Sequence, residues 1–385
     1  MGGARRAPRS SRSFDVSSGH SVPNSLFVSC AEPSGDRLAA DVIRAVQRAL
    51  PDLHIYGCCG PRLRSLGAES VVDMETVAVM GVTAVLQRVR PLLQARRRLR
   101  AKLTEGPDLA LFVDGPSLHL PLAREARKRG VTTVGLVCPQ VWAWKPERTT
   151  EIAKAYAHLW CLFDFEPPLM QAAAAVHDCV VRHVGHPVLD RLPDASQRQR
   201  SPTALFGLAP GSRQQELERH IKPFLEAAHH VRRTHPGAHF LWAGTAPDAL
   251  PDWIRPVPSI VDLQPCHAVL SKSGTVTLEL AWMGVPQVVA HAVSPLTHAV
   301  GRMLVRHVDH IALPNVLNRQ AVVPEFVGAL QPATLAHALV QAADQTAPPL
   351  PHVGSRGATT RMADALVELL PSTGPLRSSR LPGAP

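Results

Sequence analysis

The chain predicts an α/β protein built as two Rossmann-like domains facing each other across a cleft. Three observations carry this. Apolar runs of strand length alternate with helical patterns, as in parallel sheets with crossover helices. The alternation breaks once, at residues 188–203, where Pro193, Asp194, Ser196, Gln197, Arg198, Gln199, Arg200 and Pro202 gather, and then restarts. The 385 residues exceed one ordinary domain and suffice for two, each with its own core.

Leu26 to Cys30 reads as the first strand, Ser34-Gly35-Asp36 as a turn, and Ala39 to Leu50 as a helix that Pro51 ends. Leu26 to Cys30 also mimics a lipoprotein cleavage site, but its apolar stretch is too short for a signal segment. His54 to Cys58 is a second strand, and Leu109 to Val113 a buried strand ending at Asp114. Ala123 to Arg129 is helical and stops at Gly130; Thr132 to Val137 and Leu159 to Phe163 are strands. After the polar stretch come a strand at Ala204 to Leu208, a long helix at Gln214 to Arg233, and strands at His239 to Ala243, Ala268 to Leu270 and Gln287 to Ala290. Residues 1–24, Arg- and Ser-rich and nearly free of acid, are expected to be a disordered arm whose composition also suits a transit peptide. Residues 25–190 and 204–347 form the two domains, and residues 348–385 a helix at Arg361 to Leu370 with a disordered tail.

Composition removes several function classes. No apolar run approaches the roughly 20 residues that span a bilayer, so any membrane role is peripheral. The seven cysteines are odd in number and show no CxxC spacing, which points to a reducing compartment without disulfide framework or zinc site. His183 with His186 and His307 with His310 stand three apart, which falls short of a metal site without further ligands. No G-x-G-x-x-G follows the first strand and no Walker A motif occurs, which argues against a dehydrogenase or a P-loop enzyme. The formal charge of +10 suits nucleic acid, anionic lipid or phosphorylated substrates, and equally a basic proteome, because Arg outnumbers Lys.

Four segments carry chemistry. Ala31-Glu32-Pro33-Ser34-Gly35-Asp36 follows the first strand; Ser34 or Asp36 caps the next helix, or Glu32 and Ser34 face the cleft. Asp114-Gly115-Pro116-Ser117 follows a central strand, where Asp114 caps the turn or acts as a general base on a sugar hydroxyl. Pro210-Gly211-Ser212-Arg213 joins a strand to a helix N-terminus, which is a ready anion site if Arg213 is not merely solvated. Ser273-Gly274-Thr275, with Glu279 one turn on, can hold a diphosphate and a ribose, or form a capping box.

In this order the segments resemble the lipid A disaccharide synthase family over about residues 24 to 331. The markers continue through Gly60-Pro61-Arg62, Val79-Met80-Gly81, Val141-Trp142-Ala143-Trp144, Phe165-Glu166, Val184-Gly185-His186-Pro187, Leu313-Pro314-Asn315 and Val323-Pro324-Glu325. The Val-Trp-Ala-Trp run is the most specific.

The resemblance implies a GT-B fold, with residues 25–190 as acceptor domain and 204–347 as UDP-sugar domain. It implies inverting transfer from UDP-2,3-diacylglucosamine to 2,3-diacylglucosamine 1-phosphate, forming the beta-1,6-linked lipid A disaccharide and releasing UDP, with no cofactor or metal. Asp114 matches the essential carboxylate. Arg213, Ser273, Gly274, Thr275, Glu279 and Asn315 match the UDP side, and Glu32, Ser34 and Met80 match the cleft lining. The expected location is cytoplasmic, peripheral to the inner membrane, with no nucleic-acid partner; a homodimer is compatible. The sequence departs from the family at Ala31, Ser117, His119, Cys138, Gln140 and His267, changes that bear on the acceptor more than on the base. The rivals are a related GT-B transferase or epimerase with another acceptor, and an inactive lipid-binding homologue.

Residues 79–103 add an amphipathic pattern around Pro91, with seven cations and no acid before Glu105. It is a solvated basic face over an apolar one, or a face for an anionic membrane.

Overall fold

The computed structural model describes residues 24–78, 89–142, 146–211, 214–293 and 310–371. Two parallel sheets organise them. The first contains β1 (Ser25–Cys30), β2 (His54–Cys59), β3 (Glu69–Asp73), β4 (Leu109–Val113), β5 (Thr132–Leu136), β6 (His158–Cys161) and β7 (Val180–His183). Its spatial order is β3-β2-β1-β4-β5-β6-β7. The second contains β8 (Leu205–Ala209), β9 (His239–Ala243), β10 (Ile254–Val257), β11 (Ala268–Lys272), β12 (Gln287–Ala292) and β13 (Glu325–Gly328), in the order β10-β9-β8-β11-β12-β13. This is the doubly wound α/β arrangement that the alternating pattern predicts, present twice.

The central strands are legible because both of their faces are covered. β4 reads LALFV and all five residues are buried. The edge strands β3, β7, β10 and β13 keep partly exposed faces and mixed residues, such as ESVVD in β3 and IRPV in β10. No continuous apolar run marks them.

Two helices begin earlier than their apolar periodicity indicates. The helix Pro33–Ala49 absorbs the expected turn at Ser34-Gly35-Asp36, and the helix Pro116–Lys128 starts seven residues before Ala123. A proline at the first helical position causes both, since its fixed φ and missing N–H cost nothing there.

The C-terminal helix is Ala358–Leu369, and it returns to the first sheet. Its Met362, Ala363 and Leu366 are buried in one cluster with Ala39, Val42, Ile43 and Val46 of helix 33–49. Burying Met362 and Leu366 contributes about 1.5–3 kcal/mol each. Asp190 anchors the helix start by accepting from the N–H groups of Gly357 (2.6 Å) and Thr359 (2.7 Å). Arg361 donates to the Val184 carbonyl at 3.0 Å. The same apolar cluster runs through Val188 and Leu189 into Leu278, Leu280 and Met283 of the second unit, so the segment after β7 is packed between the two.

The helix Val89–Thr104 settles one side of the basic segment. Ala95, Leu99 and Leu103 are buried, whereas Arg90, Arg96, Arg97 and Arg98 are exposed. The single-sign reading needs correction, because acids from outside the run reach it. Arg100 pairs with Glu125 at 2.7 Å and Lys102 with Glu105 at 3.1 Å. No described helix is long and apolar enough to cross a membrane. All seven cysteines are buried and free.

Candidate active site

Sheet order places the motifs. In each sheet the chain reverses its winding beside the first strand, between β1 and β4 and between β8 and β11. Ligands of open α/β sheets sit at the carboxyl ends of strands at such switch points. In the first sheet Cys30 lies opposite Val113, so Glu32 and Asp114 leave from neighbouring strand ends. In the second sheet Ser271 lies opposite Ala209, so the Gly211 turn and Ser273-Gly274-Thr275 leave side by side. Four segments read separately in the sequence thus form two pairs.

Asp114 occupies left-handed backbone, with φ of 54°, and Gly115 follows at 55°. An L-residue in that region costs about 1–2 kcal/mol, so the surroundings must hold it. His119 does so. Its Nδ1–H donates to the Asp114 carbonyl at 2.5 Å, which leaves Nε2 to accept from the Ser29 hydroxyl at 2.9 Å. Burial pushes the His119 pKa down to about 4, so the ring is neutral. Gly115 must be glycine for a second reason: a Cβ there would stand 2.4 Å from that of Ala31. Two departures from the family pattern, Ala31 and His119, therefore meet at the turn that aims Asp114. The Asp114 carboxylate accepts from the Gly115 N–H at 2.8 Å.

The capping expectations for the first motif need adjustment. Helix 33–49 has Glu32 at its N-cap position without a side-chain cap bond. Asp36 caps a different helix, Pro61–Ser65, by accepting from the N–H groups of Arg62 (2.9 Å) and Leu63 (3.2 Å). That pairing links the Glu32–Asp36 and Gly60–Arg62 segments. Ser34 is exposed at the start of helix 33–49. Met80 lies outside the described residues.

In the second sheet the helix Thr275–Trp282 begins after Gly274, which has φ of 147° and provides no side-chain cap. The capping-box alternative for Thr275 and Glu279 is thereby corrected. Glu279 is buried and meets Arg191, Oε1 to Nη2, at 3.4 Å. Arg191 also reaches Asp41 of helix 33–49 at 3.1 Å, so one arginine ties the two units together. The Ser273 hydroxyl lies 2.7 Å from His291 Nδ1. Thr277 donates to the Gly274 carbonyl at 2.8 Å and accepts from the Leu313 N–H at 3.1 Å, which docks the helix Leu313–Asn318 on this turn.

Asn315 is fully buried and spends its amide on the fold. Its oxygen accepts from the N–H groups of Val322 (2.7 Å) and Val323 (2.8 Å), and its nitrogen donates to the Val323 carbonyl (2.8 Å) and Glu325 (2.7 Å). Any contribution from Asn315 to a ligand site runs through the backbone it fixes. Arg213 lies outside the described residues.

The sequence reading missed three groups here. Lys272 ends β11 and pairs with Glu216 at 2.8 Å. His220 donates from Nδ1 to the Glu216 carbonyl at 2.7 Å and accepts at Nε2 from the Ala292 N–H at 2.9 Å. His291 beside it is pushed down to about 4 by burial and by Lys272. A lone Lys272 or His291 inside an apolar strand sends no spacing signal, because Glu216 and Ser273 lie 56 and 18 positions away, and the Ala292 N–H that donates to His220 lies 72 away from it. Glu166 is also buried; it accepts from the Leu162 (3.0 Å) and Phe163 (3.1 Å) N–H groups, and burial raises its pKa to about 7. Among the described residues no group of three His, Cys, Asp or Glu could hold a metal ion.

A family model described as lipid-A-disaccharide synthetase matches residues 26–254 and 260–347. The chain belongs to the lipid-A-disaccharide synthetase family. As a member of that family it is a glycosyltransferase of lipid A disaccharide formation. It is 34% identical over 328 residues to the lipid-A-disaccharide synthase of Geobacter metallireducens, covering 80% of this chain and 84% of the relative. It is 36% identical over 334 residues to that of Azotobacter vinelandii, covering 80% and 87%. Among solved structures it is similar to a UDP-GlcNAc 2-epimerase from Neisseria meningitidis, with TM-score 0.57, 13% identity and coverage of 90% and 100%. It is also similar to the glycosyltransferase of kitacinnamycin, with TM-score 0.53, 16% identity and coverage of 91% and 100%. These likenesses place this lipid-A-disaccharide synthetase family member in the GT-B fold.

Proposed function

We propose that the chain transfers 2,3-diacylglucosamine from its UDP conjugate to the 6-hydroxyl of 2,3-diacylglucosamine 1-phosphate. Asp114 takes the proton of the acceptor hydroxyl as that oxygen attacks the anomeric carbon. UDP leaves from the opposite face, which inverts the configuration. Ser273, Gly274, Thr275 and the N–H groups of helix 275–282 receive its diphosphate, with Arg213 as a bidentate donor. Glu279 accepts the ribose hydroxyls. Glu32, Ser34 and Met80 line the acceptor side, and Asn315 shapes the UDP side through the loop it fixes.

One observation carries this reading. Both switch points hold a motif pair, a carboxylate-bearing pair on one sheet and a glycine- and hydroxyl-bearing pair on the other. So assigned, base and leaving-group site belong to different units, which suits displacement from opposite faces of a sugar. Mass spectrometry of the product made from the two lipid substrates tests it. The expected product is one disaccharide 1-phosphate with four acyl chains, together with one UDP. Free sugar or an epimerised nucleotide sugar would overturn the assignment.

The substrates carry acyl chains, which places the working enzyme at a lipid surface. The exposed Arg90, Arg96, Arg97 and Arg98, with half-exposed Leu93 beside them, support peripheral binding to an anionic inner-membrane surface through helix 89–104. The cytoplasmic face is the site this implies, and a homodimer is compatible with it.

A further inference from the structure

We propose that Lys272, held by Glu216, is the cation that receives the β-phosphate of the departing nucleoside diphosphate. This deepens the nucleotide-site reading above and rests on it. Lys272 is the last residue of β11, at the switch point of the second sheet. Its side chain is only 15% exposed and that of Glu216 16%. A charge so far withdrawn from water needs a partner, and Nζ to Oε1 of Glu216 is 2.8 Å. Glu216 comes from the helix Gln214–Thr234 and lies against Gly211, with Oε2 2.8 Å from where a Cβ would stand. The pair therefore bridges the two turns that leave β8 and β11.

The bridge adjoins the Gly274 turn. Among the described residues, its chain neighbours aside, a Cβ at Gly274 would meet a single atom within 4 Å, Lys272 Nζ at 4.0 Å. Helix 275–282 starts at the same turn without a side-chain cap, and the Ser273 hydroxyl stands beside it on His291. His291 is neutral, so among these groups the positive charge belongs to Lys272. An ammonium has three N–H bonds; Glu216 takes one and orients the others. A purely structural ion pair would gain little net stability.

The chemistry requires a fixed positive charge at this place. When the anomeric C–O bond breaks, its electron pair stays on the β-phosphate oxygen, while the new bond forms from the acceptor oxygen and Asp114 takes the acceptor proton. The diphosphate gains one unit of negative charge in that step. A preoriented ammonium stabilises that charge most in the transition state and the product.

Calorimetry with UDP and uridine on the full-length protein tests the assignment, with Lys272→Met, Lys272→Met/Glu216→Gln and Lys272→Arg compared to wild type. We expect Lys272→Met to weaken UDP at least tenfold while uridine affinity stays within twofold. The double variant should keep that loss, which removes repulsion by an orphaned Glu216 as the cause. Lys272→Arg should recover part of it. UDP affinity within twofold of wild type in the double variant would make Lys272 a structural partner of Glu216 and overturn the proposal. Wild-type protein that binds neither ligand would overturn the nucleotide site itself, and is told apart by that control.

Discussion

Arg191 Nη2 stands 3.4 Å from Glu279 Oε1, and through Asp41 the same guanidinium holds helix 33–49 of the other unit. A carboxylate proposed to take the ribose is thus engaged by the segment that joins the two units. Glu279→Ala should weaken UDP about tenfold, the cost of hydrogen bonds to a charged group at about 1.5 kcal/mol. Arg191→Ala leaves the buried Glu279 carboxylate without this partner, so it should lower the unfolding temperature. Titration calorimetry with unchanged UDP affinity in Glu279→Ala would take that carboxylate out of the site.

Gly115→Ala tests the turn that aims Asp114. The added methyl would stand 2.4 Å from the Ala31 Cβ, at a φ of 55° that already disfavours a side chain. Overpacking and backbone strain together should destabilise the fold by about 2–4 kcal/mol. Thermal unfolding measures this directly. A midpoint equal to wild type would show that the turn relaxes freely, contrary to the account.

Stability should fall as the protein is acidified below neutrality. Burial depresses His119 to about 4, His186 to about 3 and His291 to about 4, all below the ordinary value near 6.5. The unfolded chain therefore binds more protons than the native one between roughly pH 4 and 6.5. Their contribution is complete above that window and is lost as pH falls through it, at up to about 1.4 kcal/mol per pH unit for each fully buried ring. His119→Asn should flatten the profile in denaturant melts between pH 7 and pH 4.5. A wild-type profile flat across that range would contradict the neutral assignment.

Helix 89–104 predicts salt-sensitive binding to anionic vesicles. Among the described residues Arg100 pairs with Glu125, whereas Arg90, Arg96, Arg97 and Arg98 are exposed and make no ion pair. Replacing Arg96, Arg97 and Arg98 with Gln should release most protein from vesicles at low salt, since each cation near the surface contributes about 1 kcal/mol. Co-sedimentation equal to wild type would make this an ordinary solvated face.

Sequence patterning reaches unequally into this molecule, for physical reasons. Strands buried on both faces, such as β1 and β4, announce themselves as apolar runs, whereas the edge strands β3, β7, β10 and β13 do not. Pro33 and Pro116 start helices where apolar spacing is still silent. The place of Asp114 at a strand end was legible, because the apolar run of β4 stops there. The Lys272–Glu216 pair and the His119–Ser29 bond were not, since these partners lie 56 and 90 residues apart and only the fold brings them near. Asn315 shows the converse: a motif position whose amide is consumed inside the fold.

Turnover of Asp114→Asn tests the central claim most directly. The amide keeps the shape of the side chain and can still accept from the Gly115 N–H, so the turn should survive. It cannot take a proton from the acceptor. Measured with UDP-diacylglucosamine and diacylglucosamine 1-phosphate, the purified variant should bind UDP as wild type does and turn over about two to four decades more slowly, the range for losing a general base. Turnover near wild type, with folding and UDP binding intact, would contradict Asp114 as the base.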